Sequence, residues 1–171
     1  HVFQQFRGMA TYPALYRHTR IAPLPAAWVV TSIQPTPADP AEALTRLEAI
    51  DPFQGALLEA PDGSPLPSMG ALERPLPLRT LEAFSTATTV IAPERIARIE
   101  AWAPDRQTLT VEVPEGGGLL VMSEVYANGW TVEVDGAGRP VLRADALLRA
   151  VLLSAGPHRV VWNYPWHPSL R

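Results

Sequence analysis

The chain of 171 residues contains neither cysteine nor lysine. The first absence removes disulfides, thiolate nucleophiles and thiolate metal ligands, and it is compatible with any redox compartment. The second leaves arginine as the whole basic complement, 14 residues against 17 acids, for a net charge of −3. Such a balance has no basic excess to neutralise a phosphate backbone, so nucleic acid is not an expected partner. Long apolar runs are missing as well. The longest uncharged stretch, Ile21 to Ala38, is interrupted by Pro23, Pro25, Pro35 and Pro37, which excludes a lipid-spanning helix there. No charged n-region leads into an apolar core and the chain begins at His1. A soluble segment lying within a longer precursor is expected.

Catalytic signatures are equally scarce. There is no Gly-x-Ser-x-Gly elbow, and His1, His18, His158 and His167 lie near ends or turns without a spacing that announces a triad. Gly116-Gly117-Gly118 is followed by a strand-like segment and by no Gly-Lys-Ser/Thr, so it reads as a turn and not as a phosphate cradle. His158 and His167 are the only neighbouring histidines. Without cysteine or a His-Glu-x-x-His helix they are expected to be surface residues, with no metal and no cofactor. No carboxylate pair is evident for hydrolysis, and no catalytic residue is assigned.

What is present is a foldable composition, 47% hydrophobic and 18% charged, with glycine and proline below the low-complexity range. A chain of this length buries about 70% of its unfolded surface and builds its own core. The lead-in, His1 to Arg20, has aromatic residues without a sustained period. Trp28 to Ile33 is β-branched and aromatic between prolines and predicts a short strand. Asp39-Pro40-Ala41-Glu42 combines an N-cap, a proline at the first helical position and an early acid. It starts a helix whose apolar stripe is Ala41, Leu44, Leu47 and Ile50 and whose outer face pairs Glu42 with Arg46. Asp51 before Pro52 ends it, and Ala56 to Glu59 predicts the second strand of a strand-helix-strand unit.

From Ala60 to Thr80 five prolines and Asp62-Gly63 argue for a linker or long loop. Beyond it the period becomes two. Leu109, Val111 and Val113 alternate with polar residues, as do Trp130, Val132 and Val134. Further strands are expected near Thr86 to Ile91, Arg95 to Ala103, Leu119 to Glu124, Pro140 to Arg143, Leu147 to Leu153 and His158 to Tyr164. Turn residues fall between them at intervals of about 8–12 residues, which indicates an antiparallel sandwich. The expected fold class is mainly β: an antiparallel β-sandwich over 84–171, a Pro-rich linker over 61–83, and a lead-in with a small N-terminal strand-helix-strand elaboration over 1–60.

Two clusters offer chemistry. Tyr126 and Trp130 flank the Asn128-Gly129 turn, where aromatic faces could stack on a sugar ring while Glu124 or Asn128 bonds its hydroxyls. The competing reading, favoured by phase with Val132 and Val134, makes Trp130 a core residue. Arg143, Asp145 and Arg149 could grip a carboxylate or phosphate of a glycolipid or envelope polymer, or could simply pair to hold a loop. Trp162, Tyr164 and Trp166 repeat at period two, as one face of a sheet does, or mark an approach to a bilayer interface.

The C-terminal third also resembles a known family. Leu119-Leu120-Val121-Met122-Ser123-Glu124-x-Tyr126-x-x-Gly129-Trp130, then Val134-Asp135-Gly136, Arg143-Ala144-Asp145, Leu148-Arg149-Ala150-Val151, Ala155-Gly156-Pro157-His158-x-Val160 and Tyr164-x-Trp166, is similar to the closing extracytoplasmic segment of YfhO-like bacterial membrane proteins. Leu24-Pro25-x-Ala27-Trp28-Val29-Val30 resembles that family's lead-in. Asp145 stands where the family has asparagine, and Ala127 where its turn has Tyr-Pro-Gly. The resemblance implies a polytopic protein of the cell membrane, similar to membrane-embedded glycosyltransferases that use lipid-linked sugars, with this segment on the extracytoplasmic face. It further implies that the chemistry belongs to the membrane portion and that glycan or lipid-linked sugar is the partner here. A carbohydrate-binding or scaffolding module that contacts envelope polymers or a protein is the alternative. The candidate binding residues are Tyr126, Trp130, Arg143, Asp145 and Arg149.

Overall fold

The computed structural model describes residues 25–61, 63–68, 70–73 and 95–165. The lead-in, the strand expected near Thr86 to Ile91, most of the Pro-rich linker, and Trp166 lie outside the described residues. In chain order the elements are β1 (Ala27–Val30), β2 (Ser32–Pro35), α1 (Pro40–Ala49), β3 (Gly55–Glu59), β4 (Arg98–Ala103), β5 (Arg106–Val113), β6 (Gly118–Val125), β7 (Thr131–Val134), β8 (Ala137–Arg139), β9 (Leu142–Ala144), β10 (Leu148–Leu153) and β11 (Gly156–Asn163). They form a six-stranded sheet, β1-β6-β10-β9-β3-β2, and a five-stranded sheet, β4-β5-β11-β7-β8. Every pairing is antiparallel except β2 with β3, which α1 connects as a parallel crossover. The protein is thus mainly β, an antiparallel-rich sandwich with a small helix near its N-terminus.

The expected strand Trp28 to Ile33 is divided at Thr31. There the N–H groups of Thr31 and Ser32 both donate to the Gln54 carbonyl, at 3.3 and 3.2 Å, and the chain passes from one sheet edge to the other. Edge strands of a flat sheet this wide would stand about 24 Å apart. Val30 and Ser32 are two residues apart and so within about 7 Å. The sheet must therefore curl until its edges meet, and its inner face encloses Trp28, Val30, Ile33, Ala56, Leu58, Leu119, Val121, Leu142, Ala144 and Ala150. Trp28 closes this interior edge-to-face on Phe53, ring centroids 5.7 Å apart, while its indole N–H donates to the Pro52 carbonyl at 2.9 Å.

The outer face of the curled sheet packs on the second sheet. Val29, Leu120, Met122, Val151 and Leu153 meet Leu109, Val111, Val113, Val132, Val134, Val160 and Trp162 in one cluster. The five alternating residues of β5 and β7 are buried there as their period predicts, and Trp130 is half-buried against the same cluster. Strands β1 and β6 are buried on both faces, which explains their unbroken apolar runs, whereas β5 and β7 have one wet face and alternate.

Helix α1 starts where its cap predicts. The Asp39 carboxylate accepts the Ala41 N–H at 3.2 Å, and Glu42 pairs with Arg46 at 2.6 Å. The expected apolar stripe does not become a buried face: no helical residue is buried, and Leu44 is 59% exposed. Only Ile50, the residue that caps the C-terminus, enters the interior. The crossover is held at its ends and by Arg46 donating to Gln34 at 3.1 Å. Among the described residues no helix is long and apolar enough to cross a membrane.

Candidate functional site

Strand direction assigns the connecting segments to two opposite ends of the sandwich. One end gathers the β6–β7 loop, the β9–β10 turn and the exit of β11; the other gathers the β5–β6 and β7–β8 turns and the β10–β11 connection.

All five candidate binding residues lie at the first end, and four of them, Tyr126, Trp130, Arg143 and Arg149, make ring–guanidinium contacts there. Arg149 lies opposite Arg143 across the β9–β10 pair. Because Val151 and Leu153 face the inter-sheet core, Arg149 two residues earlier faces it also. Its side chain is fully buried, ion-paired with Glu124 and donating to the Gln107 amide oxygen at 2.5 Å. The guanidinium stacks on Trp130 with its carbon 3.6 Å from the ring centroid, and lies 5.2 Å from that of Trp162. Burial pulls the Arg149 pKa down from the ordinary arginine value, and the Glu124 carboxylate opposes that shift. Arg149 is therefore no surface fork. It is the fixed backing of Trp130, whose ring stands 5.2 Å from that of Tyr164.

Arg143 is half-buried, ion-paired with Glu59, with its guanidinium 5.6 Å from the Tyr126 ring centroid. The Tyr126 hydroxyl donates to the Asn128 side-chain oxygen at 3.2 Å. Tyr126, Trp130 and Tyr164, all half-buried, thus stand beside exposed Asn128 with a guanidinium under or next to two of the rings. Glycine at 129 is set by its backbone, with φ +103°, and a Cβ there would also press to 3.2 Å from the Tyr164 ring. Among the described residues Arg149 Nε and Nη1 and Trp162 Nε1 are buried donors with no acceptor from the protein. This interior is rich in donors.

Asp145 belongs to a separate arrangement. Its carboxylate accepts the Leu57 N–H at 2.9 Å and its own N–H donates to the Leu57 carbonyl at 2.8 Å, which ties the β9–β10 turn to β3. Burial pushes its carboxyl up to about 6, against the opposing pull of the Leu57 N–H. Its backbone is left-handed, with φ +49°. The partner of Arg149 is neither Asp145 nor another residue of its own turn. It is Glu124, from a strand 25 residues earlier, and the inward phase of Arg149 with Val151 and Leu153 is the sequence signal that marks its burial.

The second end holds a constellation that the spacing did not announce. His158 Nδ1 lies 2.6 Å from Asp135 Oδ2, and His158 Nε2 lies 3.1 Å from Ser154 Oγ and 3.0 Å from the Ser154 carbonyl. The other Asp135 oxygen accepts the Arg159 N–H at 2.8 Å. That backbone bond, then the His158 contact, holds the Asp135 carboxyl below its ordinary range. Asp135 comes from the β7–β8 turn, Ser154 from the β10–β11 connection and His158 from β11 itself, so the pairing of β7 with β11 unites them. No group of three or more metal-ligating side chains occurs among the described residues. Comparisons of the chain with family models, curated proteins and solved structures return no match.

Proposed function

We propose that this chain is an extracytoplasmic, saccharide-holding domain of a polytopic membrane protein of cell-envelope glycan or lipid-linked-sugar metabolism, and that glycosyl transfer is carried out elsewhere in that protein. The supporting observation is an aromatic shelf at one end of the sandwich, made of the packed Trp130–Tyr164 pair and of Tyr126, which bonds the exposed Asn128 two residues before Trp130. Sugar rings present C–H faces to aromatic planes, and an amide beside the plane supplies donors and acceptors for hydroxyls. Arg149 stacked under Trp130 holds the indole in place before any ligand arrives, which lowers the ordering cost of binding. Arg143, next to Tyr126 and partly open to solvent, suits the phosphate of a lipid-linked sugar. Attachment to a membrane rests on the resemblance of the C-terminal third to YfhO-like proteins.

The test is an NMR titration of the 171-residue chain with neutral oligosaccharides and with a soluble sugar diphosphate. Shift changes at Tyr126, Asn128 and Trp130 are expected. Tyr126→Ala should weaken both ligands about tenfold, roughly 1.4 kcal/mol, and Arg143→Gln should weaken the diphosphate alone. Saturation with neither ligand class at millimolar concentration would defeat the reading.

A further inference from the structure

Ser154, His158 and Asp135 line a groove of about 800 Å³ at the end of the sandwich remote from the aromatic shelf. Their contacts follow the order that activates a hydroxyl: serine oxygen to one imidazole nitrogen at 3.1 Å, the other imidazole nitrogen to a carboxylate at 2.6 Å. We propose that Ser154 is a nucleophile toward small carboxylic esters, with His158 as its general base and Asp135 as the carboxylate that orients the imidazole.

Each member is placed as the chemistry requires. Ser154 is exposed, so an ester can approach its hydroxyl, while the His158 side chain is only 11% exposed and is held on both sides. Asp135 is fixed twice, by His158 through one oxygen and by the Arg159 N–H through the other. A carboxylate held in that way keeps the proton on Nδ1 and leaves Nε2 to face the serine. Asp135-Gly136 is the two-residue hairpin turn between β7 and β8, with φ +53° and +81°, and it sets the Asp135 carboxylate beside His158. The Ser154 carbonyl, 3.0 Å from the same Nε2, can only accept and so competes with Oγ: Nε2 acts as base in the form protonated on Nδ1 alone, and bonds the carbonyl once it has taken up the serine proton. The groove volume lies within the usual range for small-molecule sites. Leu72, Pro140 and Leu153 supply apolar wall for an acyl group, and Arg139 supplies a cation for an anionic leaving portion.

The reaction balances without a co-reactant other than water. As Ser154 Oγ bonds to the acyl carbon, its proton passes to His158 Nε2. Collapse of the tetrahedral adduct breaks the ester C–O bond, and the departing alkoxide takes that proton and leaves as the alcohol. Water then attacks the acyl-serine, gives a proton to Nε2, and collapse breaks the bond to Oγ. The carboxylic acid is released and the serine hydroxyl is restored.

This activity is independent of saccharide binding at the opposite end, and its test uses separate readouts. The purified chain is incubated with a fluorophosphonate probe and the labelled peptide is mapped by tandem mass spectrometry. In parallel, hydrolysis of 4-methylumbelliferyl acetate is followed. Labelling at Ser154 is expected, with esterase activity at least tenfold above that of Ser154→Ala. Asp135→Asn should lower the activity at least 100-fold or to the Ser154→Ala level while circular dichroism stays unchanged. If Ser154 takes no label and Ser154→Ala hydrolyses the ester as fast as the parent chain, the three residues are only a clamp between two turns and the proposal fails.

Discussion

The two ends of the sandwich hold polar clusters of opposite construction. At the shelf end the charge is taken out of water: Arg149 is fully buried between tryptophans and meets Glu124, which is only one-third exposed. At the other end Asp135 is half exposed, and His158 and Ser154 lie at the surface of a groove. A buried ion loses its hydration and must be matched by fixed partners, so every member of the first cluster bears on stability. Exposed groups keep water as a substitute partner, so Asp135 and Ser154, though not the mostly buried His158 between them, are nearly dispensable for folding. The contrast separates a polar group that holds an aromatic surface in place from one that is free to act on a ligand.

The largest effect is expected from Trp130→Ala, which empties an aromatic site against the inter-sheet core and uncovers Arg149. A loss of about 3–5 kcal/mol in urea denaturation is expected. A loss under about 1 kcal/mol would show that the indole is a ligand platform alone. Glu124→Leu should follow at about 3 kcal/mol, because it leaves the Arg149 charge buried without its partner. Adding Arg149→Met should recover most of that loss; a double variant no better than the single would mean that the stack on Trp130, and not the ion pair, dominates.

Asp145 sharpens the comparison through pH. Its carboxyl is raised from 3.8 to about 6 in the folded chain, so folding favours the protonated form. The Asp145 contribution to stability is then greatest below 3.8, declines as pH rises from there through 6, and levels above it. Asp145→Asn keeps an oxygen for the Leu57 N–H, tolerates the left-handed backbone and does not ionise. It should stabilise the chain by about 2–3 kcal/mol at pH 7.5 and by much less near pH 4. Equal gains at both pH values would break this account. The smallest effect is expected at the exposed end. Asp135→Asn should cost less than about 1 kcal/mol at neutral pH. Because the Asp135 carboxyl is held below 3.8, its contribution is present above that value and fades as pH falls through the folded-state pKa. A loss at neutral pH as large as that of Glu124→Leu would erase the distinction between the two ends.

Local signals carried much of the architecture. Period-two alternation marked β5 and β7 with their core faces, Asp39-Pro40 marked the helix start, and the Pro25 to Pro35 interval marked extended chain, read as one strand where the structure has two, β1 and β2. These are short-range preferences of the backbone and of one wet face, so a single segment suffices to express them. The helix stripe was misleading for the same reason: Leu44 has apolar neighbours in sequence, but the crossover leaves it in water. β8 went unread because Ala137-Gly138-Arg139 has no alternation to display.

The chain alone determined that this is a β-rich domain without thiol chemistry, and it placed Tyr126, Trp130, Arg143 and Arg149 close to common turns. Only the tertiary structure decided which of them face water. Strand pairing brought Glu124 to Arg149 across 25 residues and Asp135 to His158 across 23. Such contacts depend on which edges meet and how far a sheet curls, quantities set by the packing of the whole core and not by the preferences of any one segment.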